Sequence, residues 1–162
     1  MVSTAHERLL STVTIFLGKT VGRHHDGQLC SMPVTYSHRQ CRSHVSKSYA
    51  VSRKADGERR LLVIDDDSRV YLVNPRNKEV TLVRDASFSL AAHVCRIRWK
   101  FAIFDAEYVV ENKAQHLWIF DCLGLDSENF ITDSFETRFR RMNIEVSIFM
   151  KALAFSTPSG SK

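Results

Sequence analysis

The most reactive pattern in this sequence is a lysine followed at short intervals by an acid, a glycine and an arginine, in Lys54-Ala55-Asp56-Gly57-Glu58-Arg59. An amine attacks an electrophile only when it is unprotonated, and the ordinary pKa of a lysine is about 10.4. Burial and neighbouring cations lower that pKa, and the apolar residues on both sides of the motif predict that Lys54 lies between strands. The pattern therefore indicates a covalent amine nucleophile, beside which Arg59 can hold phosphate oxygens or a ribose hydroxyl.

The two residues inside the motif fit the same chemistry. Gly57 permits a tight turn and lets a ligand approach the backbone, and Asp56 can cap that turn or orient the lysine. A solvated strand edge with a turn at Asp56 and Gly57 explains the same residues equally well, so the motif alone leaves both interpretations open.

The bulk composition is that of one soluble globular domain of 162 residues, with 44% hydrophobic and 25% charged residues. The charge is uneven, because residues 1–60 hold ten Lys and Arg against four Asp and Glu, whereas the rest holds thirteen against fourteen. The basic excess around Lys54 suits a polyanion such as a nucleoside triphosphate or an RNA end, although a solvated basic surface explains it as well.

Several classes of protein and site do not fit this sequence, namely disulfide-bonded, membrane and secreted proteins and zinc sites. Four cysteines without a Cys-x-x-Cys pair indicate free thiols in a reducing compartment, and Cys122 is expected to be buried. The absence of a long apolar run or secretory signal predicts a nuclear or cytoplasmic protein that has no membrane segment and is not secreted. The His- and Cys-rich stretch 24–44 lacks the paired spacing of a zinc site, and Asp65-Asp66-Asp67 is expected to be a solvated turn.

Alternating apolar residues predict strands through the middle of the chain. Strands at 60–64, 69–73 and 80–83 would form an antiparallel meander. A second hairpin is expected from strands at 101–110 and 116–122, in which Trp118 and Ile119 pack within the sheet.

Helical spacing predicts a helix over 3–17 and another over 127–142. The second helix would place Phe130, Phe135 and Phe139 in the core and pair Glu136 with Arg140. The apolar stretch 144–155 fits a strand or a helix.

Taken in order, the motifs resemble the covalent nucleotidyltransferases, which comprise mRNA capping guanylyltransferases and ATP-dependent polynucleotide ligases. Lys54–Arg59 matches their nucleophile motif K-x-D-G-x-R, and Phe104–Tyr108 stands where that family has its D-G-E strand. His116–Leu123 resembles the following strand, whose aromatic residue stacks on the purine. Met32–Thr35 and Val70–Asn77 are similar to segments of the capping branch.

The resemblance implies an α+β fold of antiparallel sheets with flanking helices, with the nucleotide held between two β-layers. It covers about residues 32–155 and lacks the family's later motifs, so the nucleotidyltransferase fold is expected to be incomplete. We expect an N-terminal helix and basic loop region over 1–48, a partial nucleotidyltransferase domain over 49–155 and a disordered tail over 156–162.

The resemblance also implies a reaction. Lys54 would attack the α-phosphate of GTP, and the resulting lysyl-N-GMP would pass its GMP to the diphosphate 5′ end of an RNA. Arg59 and Glu107 would contact the ribose or phosphates, Phe120 would stack on guanine, and Mg²⁺ or Mn²⁺ would neutralise the phosphates. An arginine of the family falls on Pro75 here, which leaves the neighbouring Arg76 as the candidate for that phosphate contact.

Two alternatives remain open. An ATP-dependent ligase would form lysyl-AMP through the same residues. The missing later motifs are equally compatible with a non-catalytic module that binds a nucleotide or RNA, with one subunit of a split capping enzyme that needs other capping subunits, or with the front part of a longer chain.

Overall fold

The computed structural model describes residues 4–18, 29–30, 56–67, 69–83, 100–111 and 114–154. These residues form two helices and six strands. The helices are α1 (Thr4–Gly18) and α2 (Phe135–Ala154). The strands are β1 (Glu58–Ile64), β2 (Val70–Val73), β3 (Val80–Leu82), β4 (Ala102–Glu111), β5 (Ala114–Leu125) and β6 (Glu128–Asn129).

The six strands form one antiparallel sheet in the order β3-β2-β1-β4-β5-β6. β1 pairs with β2 on one side and with β4 on the other, so it joins the predicted meander to the predicted hairpin. The predicted α+β class and the predicted strands are confirmed, with ends displaced by up to three residues. The described strands make a single layer, and the second β-layer expected opposite the nucleotide is not among them.

Helices cover the sheet on both faces. Every residue of Leu61–Ile64 in β1 is buried, as expected for a strand with apolar neighbours on either side. Leu62 and Ile64 belong to a core that includes Met142 of α2. Leu61 and Val63 belong to a second core, to which α1 contributes Leu9, Val13 and Leu17. We call these the α2 face and the α1 face.

The end of α1 is fixed against the β5–β6 hairpin. A Cβ atom added at Gly124 would lie 2.2 Å from the Phe16 ring, so only glycine lets this ring pack directly on the β5 backbone. The Asn129 side-chain amide donates a hydrogen bond to the Phe16 carbonyl. Both contacts hold α1 on its face of the sheet, and the helix predicted over 3–17 is confirmed.

The prediction of a helix over 127–142 is wrong at its beginning. The chain first makes the β5–β6 hairpin, in which Asp126 adopts a left-handed backbone with a φ of 52°. α2 begins only at Phe135, where the Ser134 hydroxyl accepts the backbone N–H of Thr137 at 3.2 Å and caps the helix. The stretch 144–155, which fitted a strand or a helix, is helical to Ala154.

The later start of α2 changes which aromatic rings are buried. Phe130 is in the core, but the side chains of Phe135 and Phe139 are 42% and 43% exposed, so the prediction that all three are core residues is wrong. The buried stripe of α2 runs through Arg138 and Met142, and the two phenylalanines lie on its flank. The predicted pair of Glu136 and Arg140 is confirmed at 2.8 Å.

Several predictions fall on residues that the structure does not describe. They concern most of the basic loop region, including Met32–Thr35, and the tail 156–162. The domain boundaries therefore stay a prediction. In the part of the chain that is described, neither helix is long and apolar enough to cross a membrane.

Candidate active site

Three neighbouring strands bring two predicted site residues, Arg59 and Glu107, into one row with Trp118 on the α1 face. Arg59 of β1 lies directly opposite Glu107 of β4, and Glu107 lies directly opposite Trp118 of β5. Residues that face each other in an antiparallel ladder project from the same side of the sheet. That side is the α1 face, because Leu61 and Ile103, two residues along from Arg59 and four from Glu107, belong to its core.

The nucleophile motif is attached to β4 through its glycine. The backbone N–H of Gly57 donates to the Oε1 atom of Glu107 at 3.1 Å. A Cβ atom at position 57 would lie 2.3 Å from the carbonyl oxygen of Tyr108 and 2.8 Å from Cγ2 of Val109. The motif therefore needs glycine because its backbone runs against β4. Asp56 is exposed beside it, and Lys54 lies outside the described residues.

Replacing Gly57 by alanine should displace this backbone and separate its N–H from Glu107. Overpacking of this kind costs about 1–3 kcal/mol. A shift of about 1 Å next to a nucleophile can lower a rate about 100-fold. We expect Gly57→Ala to fold, with a lower free energy of unfolding, and to form about 100-fold less of any covalent nucleotide adduct.

The matched control is Gly18→Ala, because a Cβ atom at Gly18 would meet nothing within 4 Å. Urea unfolding and adduct formation should both be almost unchanged in this control. Wild-type adduct formation by Gly57→Ala would show that the close approach to β4 is unimportant for the site.

Arg59 is held by a carboxylate that the sequence did not single out. Its Nε atom donates to Oδ1 of Asp105 at 2.9 Å, and its Nη2 atom donates to Oδ2 of the same side chain. The two side chains are only 21% and 5% exposed. The bonds to Asp105 raise the pKa of Arg59, while burial raises the pKa of the Asp105 carboxyl against the opposing effect of Arg59. Arg59 is thus oriented before any ligand binds.

A second buried acid lies beside the first and has its own arginine. Asp121 of β5 pairs directly with Asp105 across the ladder. Arg138 of α2 donates to both oxygens of Asp121, with distances of 2.9 and 3.1 Å from Nε and 2.9 Å from Nη2. Nη1 of Arg138 also donates to the Asp133 carbonyl at 2.6 Å. These bonds join the beginning of α2 to the strand that carries Phe120.

Phe120 occupies a bulge in β5. Ala106 pairs with Ile119 and Asp105 pairs with Asp121, so Phe120 is the extra residue between them. Ile119 packs against the core of the α2 face, which directs its neighbour Phe120 to the α1 face. Its ring is 38% exposed there, as a surface for stacking a base would be.

Trp118 departs from its prediction. Ile119 packs within the sheet as expected, but the Trp118 side chain is 40% exposed on the α1 face. It is therefore a second accessible aromatic surface in the row of Glu107, which the sequence did not indicate.

Arg76 lies in the turn between β2 and β3, at the same end of the sheet as Gly57. Its backbone N–H donates to Oδ1 of Asn74 at 2.9 Å, and the Asn74 amide donates to Glu58 at the start of β1, also at 2.9 Å. Pro75 is buried, and the Arg76 side chain is exposed. Among the described residues, no hydrogen bond joins Arg76 to Gly57 or to its partner in β4.

The two described cysteines are poorly ionised thiols. Burial raises the pKa of Cys30, which lies close to Arg59 and Asp105, to about 11. Burial likewise raises the pKa of Cys122, whose predicted burial is confirmed, to about 12. Neither thiol is suited to act as a nucleophile near neutral pH.

The raised pKa of the Cys30 thiol predicts that alkylation of Cys30 is slow. At pH 7.5 its thiolate fraction should be about 100-fold smaller than that of a thiol with a pKa of 9. Iodoacetamide labelling followed by peptide mass spectrometry should show that retardation in the folded protein, relative to the same peptide in urea. The rate should rise about tenfold per pH unit up to about pH 11. Equal rates in the folded and unfolded protein would contradict the assigned environment.

The three acids Asp65–Asp67 lie at the opposite end of the sheet, with carboxylate oxygens within 4.8 Å of one another. Asp65 accepts the backbone N–H groups of Asp67 at 3.0 Å and of Arg69 at 2.8 Å, and it also accepts Nε of Arg69 at 2.8 Å. Asp65 therefore closes the β1–β2 turn. The predicted turn is confirmed, but only Asp66 and Asp67 are exposed as expected, whereas Asp65 is buried.

Comparison with known proteins identifies the family. No curated protein matches this chain. The family model described as mRNA capping enzyme, catalytic domain, matches residues 3–158, a range that includes both helices and all six strands. Since this match spans nearly the whole sequence, the chain belongs to the mRNA capping enzyme catalytic domain family, whose chemistry is nucleotidyl transfer in mRNA capping.

Proposed function

We propose that this chain is a GTP–RNA guanylyltransferase that uses Lys54 as its nucleophile. The unprotonated Lys54 amine attacks the α-phosphorus of GTP, so a P–N bond forms, the bond to pyrophosphate breaks and the nitrogen releases one proton. The terminal phosphate oxygen of a diphosphate RNA then attacks the same phosphorus. The P–N bond breaks, the lysine leaves as an amine that takes up a proton, and GMP is joined to the RNA end.

The observation that carries this proposal is the contact between the nucleophile motif and Glu107. The Gly57 N–H to Glu107 bond of 3.1 Å joins two motifs that are 50 residues apart in the sequence. Lys54 precedes Gly57 by three residues, so the Cα atoms of Lys54 and Gly57 are at most about 11 Å apart. This limit on the distance supports a reaction between the Lys54 amine and a nucleotide that contacts Glu107.

The remaining described residues fit the parts of a nucleotide. Phe120 of β5 offers a ring face to the base, and Glu107 of the neighbouring strand β4 offers a carboxylate to the ribose hydroxyls. Both side chains lie on the α1 face. Arg59, fixed by Asp105, supplies positive charge in the same row without the entropic cost of ordering a mobile side chain. Base, ribose and phosphates would then run along the sheet from Phe120 toward Gly57.

A divalent cation would be expected to accompany the triphosphate and neutralise its charge. Asp105 and Asp121 are both engaged by arginines, which makes them poor ligands. Glu107 accepts the Gly57 N–H through Oε1 and lies opposite Arg59, whose guanidinium donates to Asp105, so Glu107 is the residue of the row that fits a cation carried by the phosphates.

The test is covalent labelling. The protein is incubated with α-labelled GTP and Mg²⁺ or Mn²⁺, run on a denaturing gel, and then chased with RNA that ends in a 5′-diphosphate. We expect a protein-bound label that is lost to diphosphate RNA and is retained with monophosphate RNA. Label from ATP and none from GTP would indicate a ligase. GTP binding in calorimetry without any adduct would indicate a non-catalytic nucleotide-binding module.

A further inference from the structure

We propose that Trp118 is a stacking platform for the first base of the acceptor RNA, separate from the platform for guanine. The inference rests on the proposed guanylyl transfer, because that reaction requires two nucleotides side by side at one phosphorus. It assigns the second nucleotide to a residue of the β5 edge.

The exposure of Trp118 is the first reason. An indole buries about 150–250 Å² when it packs fully, and that burial is strongly favourable. Trp118 nevertheless leaves 40% of its side chain in solvent, in the interior of a twelve-residue strand. Its neighbours Leu117 and Ile119 both pack against the core of the α2 face, so the strand is held to the sheet on either side of it. The exposed ring is a feature of the α1 face and not of a frayed end.

The position of Trp118 is the second reason. It lies directly opposite Glu107, the residue that holds the nucleophile motif. The acceptor phosphate must reach the phosphorus that Lys54 carries, so the first acceptor nucleotide has to lie beside this row. Trp118 and Phe120 are two residues apart, which places their Cα atoms at most about 7 Å from each other. Aromatic residues at such intervals can each stack one of two neighbouring bases.

The outer edge of β5 gives an RNA strand access to Trp118. On its outer side, β5 pairs with β6 only at Gly124 and Leu125, so no described strand lies alongside Trp118. His116, the next residue of β5 on this face, is exposed and can donate a hydrogen bond to a phosphate. An exposed aromatic ring between an exposed histidine and the Phe120 ring suits single-stranded RNA better than an apolar protein surface.

The experiment separates the two steps of the reaction. In Trp118→Ala we expect GMP adduct formation within about twofold of wild type. The KM for a diphosphate RNA should rise about 5- to 100-fold, the range expected for the loss of one stacked base. Trp118→Phe should recover most of that loss. Phe139→Ala, which removes an equally exposed ring from α2, is the matched control and should change neither step.

A binding measurement makes the test independent of catalysis. In a Trp99→Phe background, Trp118 is the remaining tryptophan, and a short diphosphate RNA should quench its fluorescence. Quenching without any GMP adduct in the wild type would overturn the proposed reaction and still support the RNA platform. Absence of quenching would overturn the platform. A rise in the KM for GTP in Trp118→Ala would also overturn it, by assigning the ring to the guanine pocket.

Discussion

Lys54→Ala should form no detectable GMP adduct, a loss of at least about 1,000-fold relative to wild type. Alanine has no amine, and a reaction that proceeds through a P–N bond has no other route at this position. Labelling with α-labelled GTP and a denaturing gel gives the adduct level, and urea unfolding gives the stability.

Two further variants make the result specific. Lys54→Arg keeps the positive charge but replaces the amine by a guanidinium that stays protonated, so it should also form no adduct while retaining GTP binding. Lys100→Ala removes an exposed lysine near β4 and should label like wild type. An adduct in Lys54→Ala that maps to another lysine would refute the assignment of the nucleophile, even if the reaction itself were correct.

Asp105→Ala should lower the free energy of unfolding by about 3–5 kcal/mol. The change leaves the Arg59 guanidinium, which is 21% exposed, without the carboxylate that engages it through two nitrogens. Breaking a buried ion pair from one side costs this much because a charge stays in a poorly solvated place. Such a loss is a large fraction of the total stability of a domain. Urea unfolding with an unchanged m-value would measure it.

A double-mutant cycle tests the physical reason. Arg59→Ala combined with Asp105→Ala should cost less than the sum of the two single changes, because no uncompensated charge remains. Asp66→Ala, which removes an exposed acid at the other end of the sheet, should change stability by less than about 0.5 kcal/mol. A loss below 1 kcal/mol in Asp105→Ala would show that solvent reaches Arg59 far better than its burial indicates.

The sheet could be predicted from the sequence because its signal is local. Alternation of apolar residues marks each strand, and β1 and β4 are found within two residues of their predicted starts. The hairpin after Leu125 was missed because Phe130 continues an apparent helical pattern. The turn is made by Asp126, which adopts a left-handed backbone. An aspartate is a weaker signal of such a turn than a glycine would be.

The ion pairs of the site could not be predicted, because they depend on register. Asp105 and Arg59 are 46 residues apart, and Arg138 reaches Asp121 from a helix whose beginning was misplaced. One signal was available, since Asp105 is two residues from Glu107 and must share its face in a strand. The resemblance to capping enzymes supplied Glu107 and Phe120, but it gave no indication of the exposed Trp118.

The bulge at Phe120 also determines how freely β5 can change in length. An extra residue that sits outside the pairing does not reverse the faces of the residues around it, whereas a one-residue slip would reverse them all. If position 120 were deleted, Ile119 and Asp121 could become ordinary neighbours and every other side chain would keep its present side. Phe120 is therefore a one-residue insertion, which can be gained or lost while the other residues of β5 keep their pairing with β4.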